Sequence, residues 1–190
     1  MFFQKNMKVV IIHGTFGSPQ ENWFPWLKQK LEAQWHSVRV PKLSTPENQL
    51  PSVRCDELQQ QVPFIFDNDT VLIGHSLGAT YLLHILDRER KESVKKAIFV
   101  SWFVHDLWNP KFDILNKPFI EKKFDRERIK KNIWNVIILH GDNDPYVPIS
   151  EAQNLNQKLW WTLEIIPWWG HCNAESGYTT FQKLLDYFSS

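Results

Sequence analysis

The sequence predicts an α/β protein: a compact, mainly parallel sheet of six strands with helices on both faces. Three observations point there. Short β-branched or apolar runs alternate with longer amphipathic stretches from end to end, the order of repeated strand-helix units. A length of 190 residues is enough to bury one substantial core and too short for two ordinary domains, so residues 1–190 are expected to form a single domain. Finally, six of the seven glycines, at 14, 17, 74, 78, 141 and 170, fall in four loops that this order gathers at one end of the sheet.

Taken in chain order, the expected strands are Lys8–Ile12, Ser37–Val40, Thr70–Ile73, Lys96–Val100, Val136–Leu139 and Thr162–Ile166. After the first strand, Asn22 is a candidate N-cap for a helix in which Trp23, Leu27 and Leu31 recur every four residues as a core-facing stripe. A further helix is expected from Pro51 to Val62, after a polar, proline-containing loop. Leu77, Tyr81, Ile85 and Leu86 mark the helix after Ser76, and Phe181, Leu184, Leu185 and Phe188 one face of a C-terminal helix. The one long connection, Ser101 to Trp134, holds several aromatic residues ahead of the charged segment Asp125–Lys131, which reads as a solvated helix. It is too short to build an extended lid.

Composition narrows the function. Twenty-two basic residues stand against twenty-one acidic ones, so no strong field is available to draw a nucleic acid or an acidic membrane surface. Met1 to Lys8 carries too few apolar residues for a signal peptide, and no later run reaches the length needed to span a bilayer. Cys55 and Cys172 are far apart and without ligand-like spacing, which argues against a disulfide framework or a zinc cluster and fits a reducing cytoplasm.

Gly74-His75-Ser76-Leu77-Gly78 follows a predicted strand and opens a predicted helix, as a nucleophile elbow requires. The sharp turn needs small neighbours around a strained serine. A neutral serine is a poor nucleophile and needs a base held by a third group. Among seven histidines, His171 follows the last predicted strand in Trp168-Trp169-Gly170-His171 and so reaches the end of the sheet where Ser76 sits. His75, His84, His36 and His105 lack such a setting. The acid is expected from the loop after the fifth strand, His140-Gly141-Asp142-Asn143-Asp144-Pro145, with Asp144 favoured and Asp142 and Asp106 as alternatives. Two backbone N–H donors should face the developing oxyanion: Leu77, and Thr15 or Phe16 in the glycine-containing loop after the first strand. That loop lacks the lysine of a P-loop and the third glycine of a dinucleotide fingerprint.

With these residues in view, the chain resembles the small serine-hydrolase family that includes the retinoblastoma-binding protein and the YdeN-like bacterial proteins, a branch of the α/β-hydrolase fold. The likeness rests on His13-Gly14 with Trp23 and Trp26 downstream, the Gly-His-Ser-Leu-Gly elbow, Asp144-Pro145 with Pro148, and Gly170-His171. It implies hydrolysis of carboxylic esters with no metal or organic cofactor. The same triad attacks thioesters and amides, and a hydrolase-fold binding protein with a vestigial site is a third reading. Trp102, Trp108, Trp168 and Trp169, with Phe16 and Phe103, are expected near the acyl group of a small-molecule ester, where they suggest an apolar pocket; each ring could instead be core. No protein partner is legible.

Overall fold

The computed structural model describes residues 6–159 and 161–188; residues 1–5, part of the segment read against a signal peptide, lie outside the described residues. Six strands form one sheet in the order β2-β1-β3-β4-β5-β6, and every neighbouring pair is parallel. The strands are β1 (Lys8–Ile12), β2 (Ser37–Arg39), β3 (Thr70–His75), β4 (Val94–Val100), β5 (Ile133–Gly141) and β6 (Thr162–Ile166). Residue-by-residue alternation divides their apolar side chains between two cores. Val10, Ile12, Leu72, Phe99 and Ile138 point to one face, and Val9, Ile11, Val71, Ile73, Ile98 and Leu139 to the other. A strand buried on both sides reads as a continuous apolar run, which is why β1 and β3 stand out in the sequence.

Helices cover both faces. On the second face, α1 (Phe24–Ala33) buries Phe24, Leu27 and Leu31, and α7 (Gln182–Asp186) buries Leu184 and Leu185. On the first lie α2 (Pro51–Gln61), α3 (Leu77–Leu86), α4 (Pro110–Ile120), α5 (Arg126–Lys131) and α6 (Ile149–Leu159), contributing Leu58, Leu82, Phe119, Ile129 and Ala152. Truncating one such side chain, Leu27 for example, is expected to cost about 2–5 kcal/mol.

The structure differs from expectation at several boundaries. β4 starts two residues earlier than predicted, and β5 extends at both ends as far as Gly141, which carries the chain to the site. Asn22 does not cap α1. Trp23 occupies that position without a side-chain cap, while Asn22, at φ 53°, accepts the Ala174 N–H at 2.9 Å and ties the start of α1 to the loop after β6. The long connection contains two helices, α4 and α5. Asp125 caps α5 through the N–H groups of Glu127 and Arg128, and Ile129 anchors this otherwise solvated helix in the core. Among the described residues no helix is long and apolar enough to cross a membrane.

Candidate active site

At the carboxyl end of the sheet, β3 runs straight into α3 through Ser76, which is held at φ 56° and ψ −125°. An L-residue at positive φ stores strain of about 1–3 kcal/mol that the surroundings must impose. Here the Ser76 N–H is bonded to the Val100 carbonyl at 2.8 Å, and the Ser76 carbonyl accepts the Ala79 N–H at 2.9 Å. α3 passes so close to β1 that a Cβ on Gly78 would lie 2.2 Å from the Ile12 carbonyl oxygen. The turn is therefore clamped by strand, helix and neighbour together, and it lifts the Ser76 hydroxyl into a cleft of about 680 Å³.

His171 lines the same cleft. Its Nδ1 lies 2.8 Å from Asp144 Oδ2, and since a carboxylate only accepts, Nδ1 carries the proton and Nε2 is left as the basic nitrogen. The Asp144 side chain is fully buried. Burial alone would raise its pKa; the hydrogen bond and charge of His171, with the N–H groups of Val147 and Tyr146, outweigh burial and hold the carboxyl below its ordinary value. His75 Nε2 donates to the His171 carbonyl at 2.8 Å, and its burial, reinforced by the neighbouring His171, lowers its pKa to about 3. A neutral imidazole thus supports the backbone of His171. Tyr146 packs edge-on against the His171 ring at 5.1 Å, its hydroxyl bonded to Glu175. Burial pushes the Cys172 thiol up to about 12, so it offers no thiolate.

The other candidates stand outside this pair. Asp142 is exposed and accepts the Trp168 N–H at 2.8 Å; Asp106 is exposed in the connection after β4. Among the seven histidines, His36 accepts the Met7 N–H, His84 donates to the Phe119 carbonyl, His105 meets Glu151, and His140 donates to the Val147 carbonyl.

The loop after β1 lies against Ser76: a Cβ on Gly14 would sit 2.9 Å from Ser76 Cβ and 3.3 Å from its Oγ. The Gly14 carbonyl receives His13 Nδ1 at 3.0 Å, Arg54 Nη2 at 3.4 Å and the Gly17 N–H at 3.4 Å. His13 Nε2 accepts the Leu43 N–H, which fixes the tautomer, and burial lowers the His13 pKa to about 4. In a trans peptide the C=O and N–H point opposite ways. With its carbonyl turned to the buried Arg54, the Gly14–Thr15 peptide points the Thr15 N–H away from Arg54, and Thr15 lines the cleft. The Phe16 N–H is instead spent on Thr45 Oγ1 at 2.7 Å, which removes Phe16 from the expected donor pair although its ring lines the cleft. Leu77 is the first residue of α3, and its N–H has no carbonyl one turn earlier in the helix to bond.

The tryptophans expected around the acyl group are elsewhere. Trp102 is 1 % exposed and packs on Phe99 in the core, as Phe103 is also core. Trp108 and Trp168 are 90 % and 82 % exposed on loops and do not line the cleft, and Trp169 packs against Phe181 and Tyr178. The apolar wall comes from Phe16, Leu107, Phe112, Tyr146 and Val147, and polar groups of Thr15, Asn116, Asn173 and Glu175 interrupt it. Arg54 and Asn116 carry no motif that a sequence reading could single out. Among the described residues no cluster of His, Cys, Asp and Glu is grouped to hold a metal ion.

Comparison with known proteins follows the same lines. A family model described as serine hydrolase matches residues 9–190. YdeN of Bacillus subtilis (strain 168) is 28% identical over 186 residues, 96% of this chain and 95% of that one. The crystal structure of the ydeN gene product superposes with a TM-score of 0.85 at 27% identity, covering 97% of this chain and 100% of that one. Serine hydrolase RBBP9 of Rattus norvegicus is 24% identical over 159 residues, 80% of each chain. Est1E from Butyrivibrio proteoclasticus, at 16% identity, has a TM-score of 0.68 over 98% of this chain and 90% of its own, a likeness of fold. The open parallel sheet covered by helices is the α/β-hydrolase fold.

Proposed function

The chain belongs to the serine hydrolase family, and on that premise we propose that it cleaves small carboxylic esters through an acyl-enzyme intermediate. Ser76 is the nucleophile, His171 the general base, and Asp144 the acid that orients it. His171 Nε2 takes the hydroxyl proton as Ser76 Oγ attacks the ester carbonyl carbon, and returns it to the leaving alkoxide as the carbon-oxygen bond breaks. Water then attacks the acyl-serine with the same base, releasing the acid and restoring Ser76. The N–H groups of Leu77 and Thr15 face the oxyanion of each tetrahedral intermediate, a contribution of about 2.7–4 kcal/mol per donor.

The observation that carries this reading is the strained Ser76 sharing one cleft with an imidazole whose Nδ1 is bound by a buried carboxylate. Strain at a positive φ has to be imposed by the surroundings and is a reason to look for chemistry. Unpaired, buried Cys55 and Cys172 support a reducing compartment, and the cytoplasm is the proposed location.

A fluorophosphonate probe tests the activated serine directly, because it phosphonylates only a hydroxyl with a working base. Peptide mapping of the labelled protein should place the adduct on Ser76. Labelling elsewhere, or none in folded protein, would replace the enzyme by a binding protein on a hydrolase fold. A panel of ester, thioester and amide substrates then separates the esterase from its thioesterase and amidase counterparts.

A further inference from the structure

Asn116 lies on α4, in the long connection after β4, and is 2 % exposed. Its side chain closes a hydrogen-bonded ring under the loop that follows β1. Gln49 Nε2 donates to the Leu115 carbonyl at 2.9 Å; a carbonyl has no proton, so that end of Gln49 is its nitrogen. The same nitrogen meets Asn116 at 3.2 Å, and the Asn116 atom there must therefore be the oxygen. That oxygen also accepts from Thr15 Oγ1 at 2.6 Å. At the other end Thr45 Oγ1 donates to Gln49 Oε1 and accepts the Phe16 N–H. The amide orientation of Asn116 follows from these contacts and leaves its Nδ2 with two N–H donors and no partner among the described residues. Asn116 lines the cleft beside Thr15 and Ser76, and Nδ2 is the polar atom of its side chain that the ring leaves free to meet a ligand there.

We propose that Asn116 is a specificity-determining residue whose Nδ2 donates to an oxygen that the substrate carries on its acyl group, beyond the reacting carbonyl. The substrate class is then a short oxygen-substituted acyl ester, alkoxy, hydroxy or oxo, in preference to a plain alkanoate. The inference rests on the esterase reading of the cleft. Thr15 is bonded through its hydroxyl to Asn116, so the Asn116 amide stands beside the backbone N–H proposed for the carbonyl oxygen. In the proposed reaction His171 protonates the leaving alcohol, which puts the alcohol on the His171 side of the reacting carbon. An amide held rigid by its own oxygen loses no further rotamer freedom on binding, and its donors are wasted on a hydrocarbon chain.

p-Nitrophenyl methoxyacetate and p-nitrophenyl butanoate differ by one ether oxygen in place of a methylene. The ratio of their kcat/KM values is measured for the wild-type protein, Asn116→Leu and Asn116→Asp; intrinsic ester reactivity cancels between enzymes. Asn116→Asp keeps the oxygen that holds Thr15 and Gln49 and removes the donors. In both variants the methoxyacetate-to-butanoate ratio should fall about three- to tenfold. A residue that only braces Thr15 would slow both esters alike, and an unchanged ratio in both variants overturns the proposal. So does a change confined to a matched pair of 2-methoxyethyl and butyl esters, which vary the alcohol instead.

A second readout needs no turnover. In ¹⁵N-labelled Ser76→Ala protein, the Asn116 side-chain amide resonances, assigned by their loss in Asn116→Asp, should move with methyl methoxyacetate and much less with methyl butanoate. Movement without hydrolysis of either ester by the wild-type protein would retire the esterase and keep the donor site. Equal or absent movement with both ligands overturns the donor site, whatever the wild-type protein hydrolyses.

Discussion

Asp144 Oδ2 lies 2.8 Å from His171 Nδ1, although 27 positions separate the two residues in the chain. The pair forms because β5 and β6 are parallel neighbours, so that the loops leaving their carboxyl ends emerge side by side. In the proposed triad, replacing Asp144 by Asn would keep the shape and turn the imidazole tautomer against its task. Turnover of p-nitrophenyl butanoate by Asp144→Asn should fall about ten-thousandfold. Asp142→Asn, whose carboxylate accepts the Trp168 N–H, should lose less than about tenfold. The reverse ranking would move the orienting acid to Asp142.

Acid should unfold the protein well above the carboxylate range. Burial lowers the pKa of His13 and His84 to about 4 and that of His75 to about 3, from the ordinary imidazole value of 6.5. The unfolded chain therefore takes up protons below pH ~6.5 that the folded chain refuses, and stability falls as pH drops, by about 1.4 kcal/mol per pH unit for each histidine. Asp144 acts in a different window: with its pKa held below the ordinary value, its contribution is present above the unfolded carboxylate pKa and is lost only as pH falls through the folded one. Calorimetry between pH 7.5 and 4.5 should show Tm falling on the order of 10 °C per pH unit once the three histidines are engaged. A Tm that stays level down to pH 4.5 would contradict their burial in neutral form.

On the proposed esterase reading, acyl-chain preference should follow the mixed lining of the cleft. Phe16, Phe112 and Tyr146 can cover a short chain, whereas a long one would have to lie over Asn116, Asn173 or Glu175 and strip them of water. In a detergent-free p-nitrophenyl series, kcat/KM should peak between about two and six carbons and fall steeply by about twelve, each unaccommodated methylene forfeiting up to about 0.8 kcal/mol. An optimum at twelve carbons or more would refute the short-chain reading and leave Ser76 and His171 untouched.

The tryptophans separate in the same assay. Trp108→Ala and Trp168→Ala, both at exposed loop positions, should keep kcat/KM within about twofold, surface changes being small in effect. Tyr146→Ala, which strips the ring that packs on His171, should lower it at least tenfold. Loss of activity in the Trp168 variant with Tyr146→Ala unaffected would place the substrate on the other side of His171.

What could be read from the residues follows from how local each signal is. Strands buried on both faces announce themselves as apolar runs, as β1 does, and the edge strand β6, with no residue buried, also lies where it is expected. Ser76 sits in a five-residue motif, and the order Ser, Asp, His points to the loops holding Asp144 and His171. Tryptophan identity, by contrast, says nothing of exposure: Trp102 and Trp108 lie in one connection, one at 1 % and the other at 90 %. Phe16 lost its place in the donor pair to a hydroxyl on Thr45, and Asn116 reaches Thr15 across 101 positions of chain. Arg54 likewise reaches the Gly14 carbonyl across 40 positions. Contacts of that kind depend on the packed fold and leave no pattern in the sequence. Asn22 looked like a cap because its residue type suits one, yet its side chain is used by the loop after β6.

Whether Ser76 performs nucleophilic chemistry is measured most directly by kcat for p-nitrophenyl butanoate in Ser76→Ala, with folding verified by an unchanged thermal transition. Removing the nucleophile should lower kcat by roughly four to six orders of magnitude, leaving only what binding and the oxyanion donors contribute. A folded Ser76→Ala protein that keeps its activity within tenfold of wild type would contradict a nucleophilic Ser76 and with it the assignment of His171 and Asp144.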